Sequence, residues 1–557
     1  MISDASLGEI TIPVQKKRFE IIRQKLPLST IVFMIFTLLG ASLLILYFVI
    51  RNLALFAPGY SATDRIASVI LLASEIYISF QGIGFYIQTI HSLRTINVSR
   101  ITRLAPMTDP LVAIYIATYN EPADVIKNTV TAISLLQYPN KIIYINCDHQ
   151  SEEQAQKVRE IAENAHVNFI HRKPNTGYKA GGINEFLFRL GKDLPAAPYL
   201  CVFDADSIPQ PSFLHELMPY FEDDIRIAYV QAPQSYSNAA ESYVAAASAA
   251  QQESFGHYIS EGKQANEAMF YCGTNVIFRC AALRDIGGLL IESITEDFNT
   301  SIALHARGWK SQYCNTGYVS GLGPTDLRAF WTQQGRWALG NLESFRMSAG
   351  KLFFRFGLTF AQRWEYTLSG TYFLVGVNTI IVMTMPALYL LFGVRPLILS
   401  PLLYAATYVP HFIFSNWFYF ATLGKRGLSK KILFLSQCLT TITFPTYAAA
   451  AIAAFLGQKK AFAVTPKGAG STLKFAEIKS QIGMMIFLGI ASVTGIIKIF
   501  YTLNYIIIIN LVWCLYHILL LSTVFYFQRS HINQTDLQSV YTTRYQPENQ
   551  QTRRLAA

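Results

Sequence analysis

The stretch VAIYIATYNEPADVIKNTVTAISLLQ, residues 112–137, decides the fold. Its first seven residues, VAIYIAT, form a short apolar run rich in β-branched and aromatic side chains, the pattern of a buried strand. TYNEP ends that run. DVIKNTVTAISLLQ (124–137) then spaces its apolar residues as one face of a helix. The alternation continues. KIIYINCD (141–148) reads as a second strand, SEEQAQKVREIAENA (151–165) as a helix and VNFIHR (167–172) as a third strand. A helix follows from about Ala180, and YLCVFDAD (199–206) is the next strand. Strands alternating with helices predict a mostly parallel sheet covered on both faces. Ligands of such sheets bind beyond the carboxyl ends of the strands. Thr118, Tyr119 and Glu121 follow the first strand, Asp148 the second, and Asp204 and Asp206 the fourth.

Composition on either side of this unit is different. The chain has 557 residues, 52% of them hydrophobic and 15% charged, against about 25% charged in an ordinary soluble chain. Uncharged apolar runs cover 26–50, 366–394, 397–424, 432–458 and 505–528. Two more, 66–91 and 481–500, are broken only by Glu75 and Lys498. Each approaches or exceeds the roughly 20 residues that span a bilayer core. The first run is too long for a cleaved signal peptide and lacks a small-residue cleavage site after it.

KKRFEIIRQK before the first run, KRGLSKK (425–431) and QKKAF (458–462) are basic, and basic loops stay on the cytosolic side. Run 432–458 lies between two such loops. It also carries Gln437, several threonines and Pro445, so it is expected to lie at the interface or re-enter rather than cross. The expectation is about six spans: two within 1–94, and four within 351–528. A cytosolic domain, 95–350, ends in an interfacial helix, and a cytosolic tail covers 529–557. Glu75 is an intramembrane carboxylate, which lines a polar path or pairs inside the bundle. The net charge of +11 belongs mostly to loops facing anionic headgroups. No basic stripe with interleaved aromatics points to nucleic acid. The seven cysteines form no CxxC pair, so reduced thiols are expected.

Three stretches carry chemistry. FDADS (203–207) sets two carboxylates one residue apart at a strand end. That arrangement suits a hard divalent cation completed by phosphate oxygens, and it also suits an ordinary acidic turn. ESITEDFNTSIALHARGWK (292–310) opens a helix with Glu296 and Asp297 after Thr295 at the N-cap position. Acidic residues favour first turns, and one of these carboxylates also suits a general base. TQQGRWALGN (332–341) packs Gln333, Arg336 and Trp337 into one turn. It reads either as an amphipathic interfacial helix or as the rim of a phosphate and sugar site.

In this order, TYNEP, CD (147–148), YKAGGIN (178–184), FDADS, FYCGTNVIFR (270–279), TED (295–297), HARGWKS (305–311), QQGRW (333–337) and FAVTPKG (462–468) resemble the processive family 2 glycosyltransferases. The likeness is greatest to the catalytic subunits of bacterial cellulose synthases, over roughly residues 100–530. It implies a GT-A-type, Rossmann-like α/β domain joined to an α-helical transmembrane bundle in the inner membrane. It further implies a UDP-sugar donor, a growing polysaccharide acceptor, Mg²⁺ or Mn²⁺, and accessory export or regulatory subunits.

The residue roles follow from the same resemblance. Asp148 and Lys179 would contact the nucleotide, with Thr118, Tyr119 and Glu121 beside them. Asp204 and Asp206 would bind UDP and metal. Asp297 would be the base, with Glu296 supporting it. Gln333, Arg336 and Trp337 would line the acceptor and diphosphate site. Phe462, Val464, Thr465 and Lys467 would sit on a loop closing over the nucleotide. Two departures stand out: His149 replaces a second aspartate after Asp148, and Gln334 replaces an arginine. The tail after Arg529 is too short for a cyclic-di-GMP-binding barrel, so such regulation would need another subunit. Other readings are a β-1,3-glucan, hyaluronan- or chitin-type polymerase, a non-processive transferase with a lipid acceptor, and a membrane scaffold with a degenerate transferase domain.

Overall fold

The computed structural model describes residues 28–56, 58–96, 108–149, 151–173, 176–291, 295–316, 319–354, 357–424, 428–458 and 474–528. Its strands are β1 (Val112–Thr118), β2 (Lys141–Cys147), β3 (Asn168–His171), β4 (Tyr199–Asp204), β5 (Ile208–Pro209), β6 (Ile227–Gln231), β7 (Gln234–Tyr236), β8 (Val276–Arg279), β9 (Lys310–Tyr313) and β10 (Val319–Gly321). Seven of them form one sheet in the order β3-β2-β1-β4-β8-β6-β9. β1, β2, β3 and β4 run parallel. β8 is antiparallel to both β4 and β6, and β9 is parallel to β6. A small second sheet, β5-β10-β7, flanks it.

The opening run is the keystone. Val112, Ile114 and Ile116 pack with Ile126, Val130 and Ile133 of the helix Ala123–Ser134. Ala113 and Tyr115 face the opposite way, against Ile183, Phe186 and Leu187 of the helix Tyr178–Arg189. A strand sandwiched by helices must be apolar at every position, which is why VAIYIAT does not alternate. Truncating such a residue, Ile114→Ala for example, costs about 2–5 kcal/mol. Chain order reverses between β1 and β4, and the crevice at their carboxyl ends is where such sheets bind ligands.

Five described helices are long and apolar enough to cross a membrane: Met34–Leu55, Ala62–Leu93, Phe360–Phe392, Lys479–Tyr501 and Tyr505–Phe527. The expected sixth span, 397–424, forms the helix Pro401–Gly424. Pro410, His411, Ser415 and Asn416 dilute its apolar character, so by composition it falls short. It nonetheless lies antiparallel beside the first span, with Phe36 against Trp417 (5.6 Å) and Tyr47 against Tyr408 (5.3 Å). Gly40 is needed there, because a Cβ would sit 2.1 Å from the Phe414 ring.

The run 432–458 is not one straight helix. Lys430–Ile442 and Phe444–Phe455 meet at 45°, with Pro445 in the first turn of the second, the position a proline tolerates. Glu75 is paired inside the bundle, the second of its two expected roles. Tyr47 donates to its Oε1 (2.5 Å) and Arg51 Nε to its Oε2 (2.8 Å). Arg51 is fully buried and also donates to the Ser68 carbonyl (2.8 Å).

Candidate functional site

The site is assembled at the carboxyl ends of β1, β2 and β4. Asp148 follows β2, and its amide is fixed by the Thr118 carbonyl at the end of β1 (3.0 Å). Both of its carboxylate oxygens accept from Arg172, at 2.9 and 2.6 Å. Arg172 also donates to the carbonyls of Thr176 (2.8 Å) and Tyr178 (2.7 Å). It therefore holds the turn that delivers Lys179, the second residue of the helix Tyr178–Arg189. Lys179 Nζ is ion-paired with Asp204 and donates to the Gly273 carbonyl (2.6 Å). Glu121 accepts from the Tyr119 amide (2.7 Å), closing the turn after β1. Asp206 is buried, and its Oδ2 accepts from the Leu322 amide (3.2 Å) just beyond β10.

Glu296 and Asp297 open the helix Glu296–Ala306. The structure corrects one detail here: Thr295 occupies the N-cap position, but its hydroxyl makes no cap bond. It pairs instead with Ser344 Oγ (3.0 Å) on the helix Leu327–Phe354, tying the two acidic residues to the helix that carries Gln333, Arg336 and Trp337. Asp297 Oδ1 accepts from the Phe298 amide (2.8 Å). Burial raises both carboxyls above the usual carboxylate range. The neighbouring Asp297 raises Glu296 further. The Phe298 amide, Lys179 and Arg336 pull Asp297 part of the way back down. Burial likewise lowers the Arg336 guanidinium, against the opposing pull of Asp204, Glu296 and Asp297.

One cavity of about 920 Å³ brings most of these groups together. Thr118, Tyr119, Glu121, Asp148, Lys179, Asp204, Asp206, Glu296, Asp297, Gln333, Arg336 and Trp337 all line it. The same cavity continues past Phe270 and Cys272 to Gln81 and Phe85 of the second span, Tyr372 of the third, and Tyr419. Phe462, Val464, Thr465 and Lys467 lie outside the described residues. Gln334, one of the departures, accepts from the Tyr447 hydroxyl (2.8 Å) and so braces its helix on Phe444–Phe455. His149 is buried, with its ring stacked on Tyr119 at 6.3 Å.

Sequence reasoning missed Arg172 and the wall formed by Tyr271–Thr274. Arg172 ends a predicted strand, a position that gives no hint of its partner 24 residues earlier. The wall lies within FYCGTNVIFR, whose glycine and small residues show only that something approaches closely. The arrangement can hold a nucleotide diphosphate over Lys179 and Arg336, and can take a proton from a hydroxyl at Asp297.

Residues 109–340 match the family described as glycosyltransferase-like family 2, and residues 283–414 the one described as cellulose synthase. The chain is 29% identical over 355 residues to the cellulose synthase catalytic subunit (UDP-forming) of Pseudomonas fluorescens strain SBW25, over 62% of this chain and 46% of that one. It is 29% identical over 416 residues to a counterpart from Komagataeibacter xylinus, over 73% and 53% of the two chains. To a counterpart from Dictyostelium discoideum it is 36% identical over 256 residues, over 41% and 23%. The chain spans about half the length, or less, of these curated relatives. Among solved structures, a mannosyltransferase from Pyrobaculum calidifontis aligns with 69% of this chain and 99% of its own at a TM-score of 0.47 and 16% identity.

Proposed function

We propose that this chain, which carries a family 2 glycosyltransferase domain overlapping a cellulose synthase one, polymerises UDP-glucose into a β-linked glucan and passes the product into the membrane. The observation that carries the reading is the continuity of one cavity. It runs from the carboxylates at the sheet ends to side chains of the membrane helices. A soluble transferase has no use for such a connection.

In this reading Asp148, locked by Arg172, and the turn Thr118–Glu121 form the nucleotide end. Asp204 and Asp206 would hold a divalent cation, Mg²⁺ or Mn²⁺. They fit one, being hard carboxylate oxygens a single residue apart at the open end of β4. Among the described residues no group of three or more His, Cys, Asp or Glu gathers to hold an ion, so phosphate oxygens of the donor would complete the shell. When bound, the cation neutralises charge on the leaving diphosphate.

Arg336 and Lys179 supply fixed positive charge to the same group. Asp297 takes the proton from the acceptor hydroxyl. A raised pKa makes it a stronger base, while the Phe298 amide, Lys179 and Arg336 oppose the effect of burial and favour its ionised form. Burial and the neighbouring Asp297 raise Glu296 as well, which favours its protonated form beside the base. One base and one displacement invert the anomeric carbon, so an α-linked donor gives a β-linked product. Trp337 offers the acceptor sugar a flat apolar face.

The domain would sit on the cytosolic side of the inner membrane, with Pro401–Gly424 as the sixth crossing and the bent pair 430–455 re-entrant. Export and regulation beyond this chain fall to accessory subunits. The test is to give membranes holding the chain radiolabelled UDP-glucose, with other nucleotide sugars as competitors, and to digest the product with linkage-specific glucanases. A polymer cut by a β-glucanase supports the reading. Incorporation only from UDP-N-acetylglucosamine, or only into lipid, overturns it.

A further inference from the structure

The catalytic domain meets the membrane helices across a seam of buried polar groups that the reaction above does not use. Gly262 lies against the second span so closely that a Cβ would sit 2.5 Å from Gln88 Cα. The next residue, Lys263, is buried to 2% exposure and paired with the fully buried Glu365 (3.2 Å) at the head of the third span. Its remaining donors go to Ser369 Oγ (2.6 Å) and to the Glu365 carbonyl (3.1 Å). Glu365 is saturated too. Gln88 donates to its Oε2 (2.6 Å) and Asn266 to its Oε1 (2.8 Å). One ion pair thus joins three elements: the second span, the helix Ser260–Ala265 and the start of the third span.

The chain runs on from Lys263 into the wall of the site. The Lys263 ammonium lies 5.7 Å from the Phe270 ring centre. Three residues beyond Phe270, Gly273 receives Lys179 through its carbonyl and faces Asp297 Oδ2, 3.7 Å from where a Cβ would lie. Gln88, Ser369 and Phe270 border the cavity where it leaves the catalytic end for the spans. A fully hydrogen-bonded buried pair adds little net stability over apolar residues of similar shape. In some proteins such a pair instead sets the register between the parts that it joins.

We propose that the Lys263–Glu365 pair is a positioning device: it holds the wall Phe270–Gly273 in register with the mouth of the membrane passage. Chain elongation therefore depends on it more than donor cleavage does. The inference rests on the polymerase reading. Lys263 itself borders the cavity, but its donors go to Glu365 and Ser369, so it acts through the wall.

The experiment uses the full chain in membrane vesicles with radiolabelled UDP-glucose, scoring both UDP released and glucose incorporated into polymer. In Lys263→Met/Glu365→Met, neither partner is left charged and alone. Polymer yield per UDP is expected to fall about tenfold and mean product length to shorten, since small misplacements at a reacting centre have large kinetic effects. Ser369→Ala and Asn266→Ala each remove one hydrogen bond from the pair. They are expected to shift the ratio the same way by about twofold, and they keep the test alive should the double variant not fold. An unchanged polymer-to-UDP ratio in the folded double variant, or in both single variants, overturns the proposal. If the unmodified chain releases no UDP from any UDP-sugar, the functional reading fails instead, and that result is seen before any variant is made.

Discussion

Glu75 in the membrane bundle and Asp297 in the cavity at the sheet ends are both partly buried carboxylates, and their surroundings are opposite. Each oxygen of Glu75 has a partner, Tyr47 on one side and the Arg51 guanidinium on the other. Among the described residues Asp297 has no ion pair. Its carboxylate accepts from one amide, that of Phe298, and burial lifts its pKa. A saturated buried charge is part of the frame. One kept open toward a cavity, with its proton affinity displaced, is where chemistry is expected.

Neutralising the open carboxylate should give the largest effect. Asp297→Asn is expected to lower glucan synthesis by about 10²–10⁴-fold, the span of a general base, while UDP binding in an equilibrium titration stays within a few-fold. Retained synthesis would remove Asp297 from its role. Neutralising the saturated carboxylate should act on folding instead. Glu75→Gln leaves Arg51 buried without its counter-ion and is expected to cost about 3–5 kcal/mol of stability, read as a lower unfolding midpoint in detergent. Turnover per folded molecule should be unchanged, and a changed KM would put Glu75 back on the sugar path.

The two substitutions should also move stability in opposite directions. A carboxyl whose folded pKa is raised binds its proton more tightly when folded. Its stabilising share is complete below the ordinary carboxylate pKa and is lost as pH rises through the raised one. Asp297 therefore weakens the fold near neutrality, and Asp297→Asn should raise the unfolding free energy there by about 1–2 kcal/mol, read as a higher unfolding midpoint. Melting curves across pH would show that gain vanishing on the acid side. The same shift places the acid limb of the synthesis rate above the usual carboxylate range, with rate falling as pH drops. Smallest of all, Trp337→Ala should raise the acceptor requirement about tenfold, consistent with about 1.4 kcal/mol of stacking, with UDP binding kept.

The parallel half of the sheet was legible because β1 and its neighbours are apolar throughout and bounded by turn residues. The antiparallel strand β8 was not. Its four residues, Val276–Arg279, carry no periodicity of their own, and their place between β4 and β6 is set by pairing across the sheet. The strands of the small sheet, two or three residues each, are shorter still. Of the candidate site, Asp148, Asp204, Asp206, Glu296 and Asp297 could be picked out because they sit at strand ends and a helix start, whereas Gln333, Arg336 and Trp337, inside the helix Leu327–Phe354, stood out only through the family resemblance. The partners that fix them could not: Arg172 reaches Asp148 across 24 residues, and Lys263 reaches Glu365 across 102, distances over which local pattern carries no information. Membrane runs were visible as uncharged stretches, but the pairing of Glu75 depends on Arg51, which lies one residue beyond the first run.

On this reading the cavity beside Asp297 and the passage between the membrane helices serve one reaction. Proteoliposomes carrying the chain with its cytosolic domain outward would test it most directly. They would be given radiolabelled UDP-glucose and a divalent cation outside, then external β-glucanase. Long labelled chains protected from the enzyme until detergent opens the vesicles are the expected result. Label found wholly in short or lipid-linked products, or in polymer digested without detergent, would contradict it.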